Sequence, residues 1–346
     1  MSNPKNRFEA LEFVPDPDWE PEDDEAGSPA KTLFLQDDSR SIIARNHSPD
    51  VGFETSINVY RGCEHGCAYC FARPTHEYLG FSAGLDFETK VVVKHDAPEL
   101  LRAELSKRSW KPQVLAMSGV TDCYQPVERR LQLTRRCIGV LAEFRNPLAV
   151  ITKNHLVTRD IDLLSELARF NAVVVTLSVT TLDPRLARNL EPRASGPARR
   201  LAAIHELSSA GIPVRIMMAP VIPGLTDHEM PSLISACADA GALDAGMVPL
   251  RLPWAVSPLF QAWLDRHAPA AKDKVLGRLR DMHGGKLYDS RWGTRMSGEG
   301  FYASELQSLF ALAKRKAGLP RPITPLSTRA FRVPSDQLEL FDASTE

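Results

Sequence analysis

The sequence predicts an α/β fold, a partial (β/α)6 barrel of the TIM type with a helical C-terminal extension. Three observations carry this expectation. Between residues 55 and 252, six short β-branched or apolar runs alternate with segments of helical periodicity, the pattern of a parallel sheet built by right-handed crossovers. One of those runs, 172–179 (AVVVTLSV), is apolar without alternation, as a strand buried on both faces must be. With 346 residues, 43% hydrophobic and 25% charged, the chain is long enough to bury one large core and ordinary enough in composition for a globular protein.

Residues 1–38 are acidic, Pro-rich and without sustained periodicity, so disorder is expected there and structure near 41–44. The β-branched run 55–60 (TSINVY) reads as the first barrel strand, and 88–94 (ETKVVVK) as a further strand-like run. Leu100, Leu101 and Leu105 give 97–107 a helical stripe. Strands are then expected at 113–117, 148–152, 172–179, 214–219 and 246–252, separated by helices at 126–144, 160–170, 197–210 and 228–240. After 252 the pattern changes to helices at 257–269, 271–283 and 301–317, with a glycine-rich stretch at 284–300 and a Pro-rich extended tail from 318. The expected division is therefore a tail at 1–38, the barrel core at 39–255, a helical extension at 256–317 and a second tail at 318–346. No internal repeat is visible.

The net charge of −1 hides an asymmetry: the first 31 residues hold nine acids against Lys5, Arg7 and Lys31, a local −6 that leaves +5 on the rest. A mildly basic body permits a polyanionic substrate, and charge on solvated helix faces explains it as well. No apolar run approaches membrane-spanning length and the start, MSNPKNRFEA, lacks the apolar core of a secretory signal, so a cytoplasmic protein without a membrane partner is expected. Three of the six cysteines are clustered, while Cys123, Cys137 and Cys237 are scattered singly, which is not a disulfide framework.

The clustered thiols lie in 61–72 (RGCEHGCAYCFA), directly after the first strand, where a parallel barrel places its chemistry. Gly62 and Gly66 let the loop fold Cys63, Cys67 and Cys70 around one centre. Three thiolates suit a 4Fe–4S cluster, which can leave one iron open, or a zinc ion, for which His65 or His76 is available as fourth ligand. Later strand ends offer further binding groups. Gly119 lets a ligand approach the backbone. Asp122 suits an amine or sugar hydroxyl, or a helix N-cap. Lys153 suits a carboxylate, with Ser178 and Thr180 after the next strand. Arg193 suits a carboxylate or phosphate clamp, or a surface pair with Glu191. Residues 220–229 (PVIPGLTDHE) combine a glycine turn, an apolar wall and an acidic helix start.

The CxxxCxxC spacing with Tyr69 before the third cysteine resembles the signature of the radical S-adenosylmethionine (SAM) enzymes. From about 52 to 252 the chain is similar, within that superfamily, to spore photoproduct lyase and the bacterial DNA repair photolyases. Thr121–Asp122, Thr152–Lys153, Ser178, Glu191–Pro192 and Ile222–Pro223–Gly224 follow in that family's order, and Trp292–Gly293 matches its C-terminal region. The resemblance implies a 4Fe–4S cluster on Cys63, Cys67 and Cys70, with SAM chelated to the open iron. Tyr69 would lie against the adenine, Gly119 near the methionine amine, and Lys153 and Ser178 at the carboxylate and ribose, with Asp122 and Arg193 as further cofactor contacts. It implies an electron donor such as flavodoxin or ferredoxin, and a 5'-deoxyadenosyl radical that abstracts hydrogen from substrate. In spore photoproduct lyase a hydrogen-donating cysteine stands three residues before the aspartate. This chain has Gly119 there, and Cys123 is the candidate catalytic substitute.

Residues 337–341 (QLELF) are similar to the bacterial sliding-clamp-binding pentapeptide, with Gln337 for one subsite and leucine and Phe341 for an apolar pocket. The expected function is a radical SAM enzyme, lyase-like or transferase-like, acting on DNA or another nucleic acid. The alternatives are modification of a small molecule or protein, and a non-catalytic iron–sulfur adaptor on the clamp.

Overall fold

The structure, a computed structural model, describes residues 2–4, 7 and 32–334. Among the described residues ten strands are formed: β1 (Leu33–Gln36), β2 (Ile43–Arg45), β3 (Thr55–Ile57), β4 (Tyr60–Arg61), β5 (Lys90–Val93), β6 (Leu115–Met117), β7 (Leu148–Thr152), β8 (Val173–Ser178), β9 (Val214–Val221) and β10 (Asp244–Pro249). Seven of them make the main sheet in the order β10-β9-β8-β7-β6-β3-β2. The six from β3 to β10 pair in parallel, and β2 closes one edge antiparallel to β3. This is the expected six-stranded α/β core, left open between β10 and β2. Apolar side chains on both faces of β8 explain its place at mid-sheet: all six residues are buried.

Helices cover the sheet through regular apolar stripes. In Leu133–Phe144 the residues Leu133, Cys137, Ile138, Leu141 and Phe144 are buried, recurring at three- and four-residue intervals. Truncating a fully buried leucine such as Leu141 to alanine costs about 2–5 kcal/mol at such sites. Pro184–Leu190 starts on Asp183, whose carboxylate accepts the N–H groups of Arg185 and Leu186, with Pro184 in the first turn. The extension consists of Val256–His267, Lys272–Met282 and Gly300–Lys316. No described helix is long and apolar enough to cross a membrane.

The structure departs from the sequence reading in three places. Order reaches into the stretch expected to be a disordered tail: Leu33–Gln36 is a strand paired in parallel with Lys90–Val93, because that run supplies β5 with a partner edge. Asn3 exchanges hydrogen bonds of 3.0 Å with Asp86, and the Ser82 hydroxyl donates to the Pro4 carbonyl at 2.7 Å. Residues 5–6 and 8–31 lie outside the described residues. The strand-like run at 88–94 does form a strand, β5, which lies in a three-stranded sheet, β1-β5-β4, beside the cysteine loop. The helix expected at 126–144 is interrupted at Gln132, whose φ of 52° is incompatible with a continuous helix, and Pro184–Leu190 is an additional helix.

Residues 318–334 cross the amino-terminal ends of the strands. Arg321 N–H donates to the Leu243 carbonyl (2.8 Å), Ser327 N–H to Asn171 (2.9 Å) and Arg332 N–H to Phe144 (2.9 Å). These acceptors precede β10, β8 and β7, so the tail lies opposite the face on which the cysteine loop sits.

Candidate functional site

The cysteine loop is strapped by buried polar contacts. Gly62 has φ 85°, and a Cβ there would come within 3.0 Å of His76, Lys90 and Phe87; at Gly66, φ 67°, it would overlap the Glu88 carboxylate. Only glycine fits either position. Arg73, fully buried, donates to the Cys67 carbonyl (3.0 Å), to the Gly84 carbonyl (2.7 Å) and to Glu88 (3.2 Å). From the other side, Gln125 accepts from Glu64 N–H (2.9 Å) and donates to the Gly62 carbonyl (3.2 Å), while the Glu64 carboxylate accepts from Val127 N–H (2.6 Å). The backbone that carries the thiols is thereby fixed independently of anything the thiols hold.

Cys63 and Cys67 are buried and Cys70 half-buried. Burial pushes the Cys63 thiol up, and Asp122, Cys67 and Cys70 push it further; burial pushes Cys67 up to about 12. The thiols therefore sense one another, and as thiolates they need cations. Irons supply those. Among the described residues no three His, Cys, Asp or Glu side chains converge on a point that would hold a single ion. A cluster, in which each thiolate takes a different iron, does not require them to. The two histidines available to zinc each keep Nδ1 without a hydrogen-bond partner, and among the described residues neither joins the thiols in a three-residue group. His76 Nε2 lies 2.9 Å from the Lys90 carbonyl, and His65 contacts Asn154 (3.2 Å) and Asp122 (3.5 Å). The donor set fits a cluster.

At the ends of β7 and β8 the chain assembles a buried charged group. Lys153 Nζ donates to the Tyr69 hydroxyl (3.1 Å), sits 5.2 Å above that ring and lies 3.5 Å from Glu191. Glu191 also accepts from Thr180 (3.0 Å), from the Tyr69 hydroxyl and from Arg200. Burial would raise the Glu191 carboxyl, but the Arg200 guanidinium and then the Lys153 ammonium overcome it and hold the carboxyl at about 2. Burial disfavours the Lys153 cation in the same way, and Cys67, Tyr69 and Glu191 together keep it protonated. Arg200 also donates to the Ser178 carbonyl (2.9 Å).

Tyr69, Lys153 and Ser178 are thus brought to one place. Asp122 sits beside them in a supporting position: it accepts from the Thr152 hydroxyl (2.7 Å), Lys153 N–H (2.9 Å) and Tyr124 N–H (2.9 Å). Arg193 pairs with Glu88 rather than with Glu191. Its donors go to the Glu64 carbonyl and to Glu88 (2.7 Å), so it fastens the cysteine loop. Cys123 lies in the main apolar core, 2% exposed, its thiol pushed up by burial. Sequence reasoning missed Arg200, although a signal was present: it shares the buried stripe of Pro197–Ser209 with Ala203, Ile204 and Leu207. An arginine in an apolar stripe calls for a buried carboxylate.

Gly119 faces a different space, a cavity of 430 Å³ at the carboxyl ends of β3, β6 and β10, lined among others by Ser56, Asn58, Phe71, Arg251 and Trp254. A Cβ on Gly119 would lie 3.3 Å from the Ser56 side chain. Two exposed rings line this mouth, Phe71 (49%) and Trp254 (57%), and a third, Trp292 (56%), lies against Arg295, which also lines it. Each carries an arginine over its face: Arg251 at 4.8 Å, Arg7 at 4.3 Å and Arg295 at 4.1 Å.

An open sheet of six parallel strands, a strapped three-thiol loop after the first strand and a buried Lys–Tyr–Glu–Arg group at later strand ends define a cofactor enzyme with its chemistry at the sheet's carboxyl face. Residues 57–237 match the family model of the Radical SAM superfamily. An uncharacterised protein of Mycobacterium tuberculosis is 40% identical over 233 residues, 67% of each chain. Another, of Methanocaldococcus jannaschii, is 31% identical over 178 residues, 51% of this chain and 64% of that one. Among solved structures, spore photoproduct lyase complexed with dinucleoside spore photoproduct superposes with a TM-score of 0.60 at 16% identity, covering 83% of this chain and 80% of that one. A mutant of the same enzyme with bound AdoMet and the dinucleoside gives a TM-score of 0.60 at 15% identity, with the same coverage. The chain belongs to the radical SAM superfamily. It is an enzyme with the fold of spore photoproduct lyase, and its cofactors are a 4Fe–4S cluster and SAM.

Proposed function

We propose that this radical SAM enzyme acts on nucleic acid, with Cys63, Cys67 and Cys70 holding the cluster and Tyr69, Lys153 and Ser178 contacting SAM. The observation that carries the substrate class is the rim of three exposed aromatic rings, each with an arginine over its face, around the mouth cavity. Alternating stacking surfaces and cations suit bases strung on a phosphate backbone. A substrate for a closed pocket would not need exposed rings outside it. The solved neighbours with dinucleoside spore photoproduct support the same reading.

When bound, the cluster and SAM supply hydrogen-atom abstraction. The chain's own residues orient and shield. Arg200 fixes Glu191, and Glu191 in turn holds the Tyr69 hydroxyl and the Lys153 ammonium, so the cofactor-facing donors are set before any ligand arrives. Burial of this group excludes water from it. Gly119 leaves the cavity wall free of a side chain, and with no thiol at that position the hydrogen donor of spore photoproduct lyase has no counterpart here.

The test is anaerobic reconstitution followed by measurement of 5'-deoxyadenosine with and without damaged DNA or RNA. Nucleic acid should raise its release; release that no nucleic acid alters would overturn the reading. We further propose that 337–341, which lie outside the described residues, tether the enzyme to the sliding clamp. The support is the QLELF sequence itself. Gln337→Ala with Phe341→Ala should abolish clamp pull-down, and unchanged pull-down would refute the tether.

A further inference from the structure

We propose that Arg251 is the phosphate-binding residue of the mouth cavity, so that the substrate carries a phosphodiester next to the base lying against Phe71. The proposal rests on the nucleic-acid reading and goes beyond it to one residue and one chemical group.

The three arginines of the rim are not equivalent. Arg7 is paired with Glu77 at 2.6 Å. Arg295 is paired with Asp50 at 2.5 Å and donates to Ser48 at 2.7 Å. Among the described residues no carboxylate lies within ion-pair distance of Arg251. Among those residues its one side-chain hydrogen-bond partner is the Met296 thioether, 2.9 Å from Nη1, a weak acceptor for a group with five N–H donors. It is nevertheless half-buried, and it lines the cavity beside Phe71 and Gly119. Burial, with the Arg295 cation adding to it, pushes the guanidinium below its usual range, while Tyr288 and Asp50 oppose.

A cation drawn partly out of water without a counter-charge is costly unless a ligand neutralises it. The position tells which ligand. Arg251 lies two residues beyond β10, at the carboxyl end of that strand, and its guanidinium lies 4.8 Å from the Phe71 ring centroid. Contact with the ring face leaves N–H donors for an oxyanion, which Arg binds through its planar fork. Phe71 and Trp254, both more than 45% exposed, offer stacking faces on the same cavity. An oxyanion held beside aromatic faces is the layout of a nucleotide with its backbone phosphate. A carboxylate would satisfy the same fork, and the test separates the two.

The probes are a thymidine dinucleotide with its native phosphodiester and the same dinucleotide with an uncharged methylphosphonate linkage, titrated against cluster-loaded, SAM-bound protein. The wild type should bind the phosphodiester about 10- to 100-fold more tightly, the range expected for hydrogen bonds to a charged group. Arg251→Met should bind both probes alike, near the wild-type affinity for the methylphosphonate, and Arg251→Lys should recover part of the difference. With a longer single strand, Arg251→Met should also lower the salt slope of binding by about 0.7. Equal binding of both probes by the wild type, or a phosphodiester preference that survives in Arg251→Met, overturns the assignment while leaving the nucleic-acid reading standing. Binding of neither probe and of no longer strand overturns both. Tighter binding of an acidic peptide than of any oligonucleotide, lost in Arg251→Met, assigns the fork to a carboxylate and refutes the phosphate.

Discussion

Replacing Glu191 by glutamine should destabilise the protein by an amount that depends on pH in a calculable way. The carboxyl is held at about 2 against an ordinary value of 4.5. That difference corresponds to about 3 kcal/mol of folded-state stabilisation. Independently, removing one partner of a buried pair costs about 3–5 kcal/mol, here because Arg200, only 2% exposed, and Lys153 keep their charges without Glu191. Because the folded value lies below the unfolded one, the contribution is complete above pH 4.5 and fades as pH falls toward 2. At pH 3 about 2 kcal/mol of it should already be gone. Paired thermal melts of wild type and Glu191→Gln at pH 7 should differ by about 6 °C or more, on a scale of about 2 °C per kcal/mol for a chain of this size. Urea unfolding of the pair at pH 7 and pH 3 should show the gap narrowing. A gap below about 1 kcal/mol at pH 7, or one that does not change with pH, would refute the claim that Glu191 is the counter-charge of this group.

Three further outcomes are expected. Alanine at Cys63, Cys67 or Cys70 should abolish iron incorporation while leaving the melting temperature of the metal-free protein within about 3 °C, since Arg73, Gln125 and Glu64 hold the loop without the thiols; iron content and circular dichroism check this. His76 is held at about 4, chiefly by burial, so its neutral form is the folded one. Its folded value lies below the unfolded 6.5, so stability is complete above pH 6.5 and falls toward pH 4, and His76→Gln should flatten that slope in urea titrations. Arg200→Met should lose stability through the uncompensated Glu191 carboxylate, and Arg200→Met with Glu191→Gln should recover part of it in a double-mutant cycle.

Much of the scaffold was legible because it depends on short-range pattern. The thiol loop is a run of consecutive residues whose spacing needs no partner, and the apolar run at β8 announces burial on both faces wherever the strand falls in the sheet. The positions of Lys153 and Ser178 followed from the rule that parallel strands present chemistry at their carboxyl ends. The role of Arg193 was not legible. Glu191 is its neighbour but two in sequence, yet the guanidinium reaches Glu88, 105 residues away, because β5 sits beside the cysteine loop in a second sheet. The surroundings of Cys123 were not legible for a related reason. It adjoins Asp122, but its thiol points into the core while the carboxylate faces β7.

By itself the sequence determined the α/β alternation, the three-thiol loop and hence the cofactor chemistry, since each is written in local spacing and residue type. Only the tertiary structure decided which charge meets which. Tyr69 and Glu191 are separated by 122 residues and Arg7 and Glu77 by 70, and the folded chain sets their pairing. The same folding left Arg251 with no carboxylate at ion-pair distance among the described residues. Periodicity specifies a strand's two faces, but the neighbours along those faces are assigned only when the chain closes on itself.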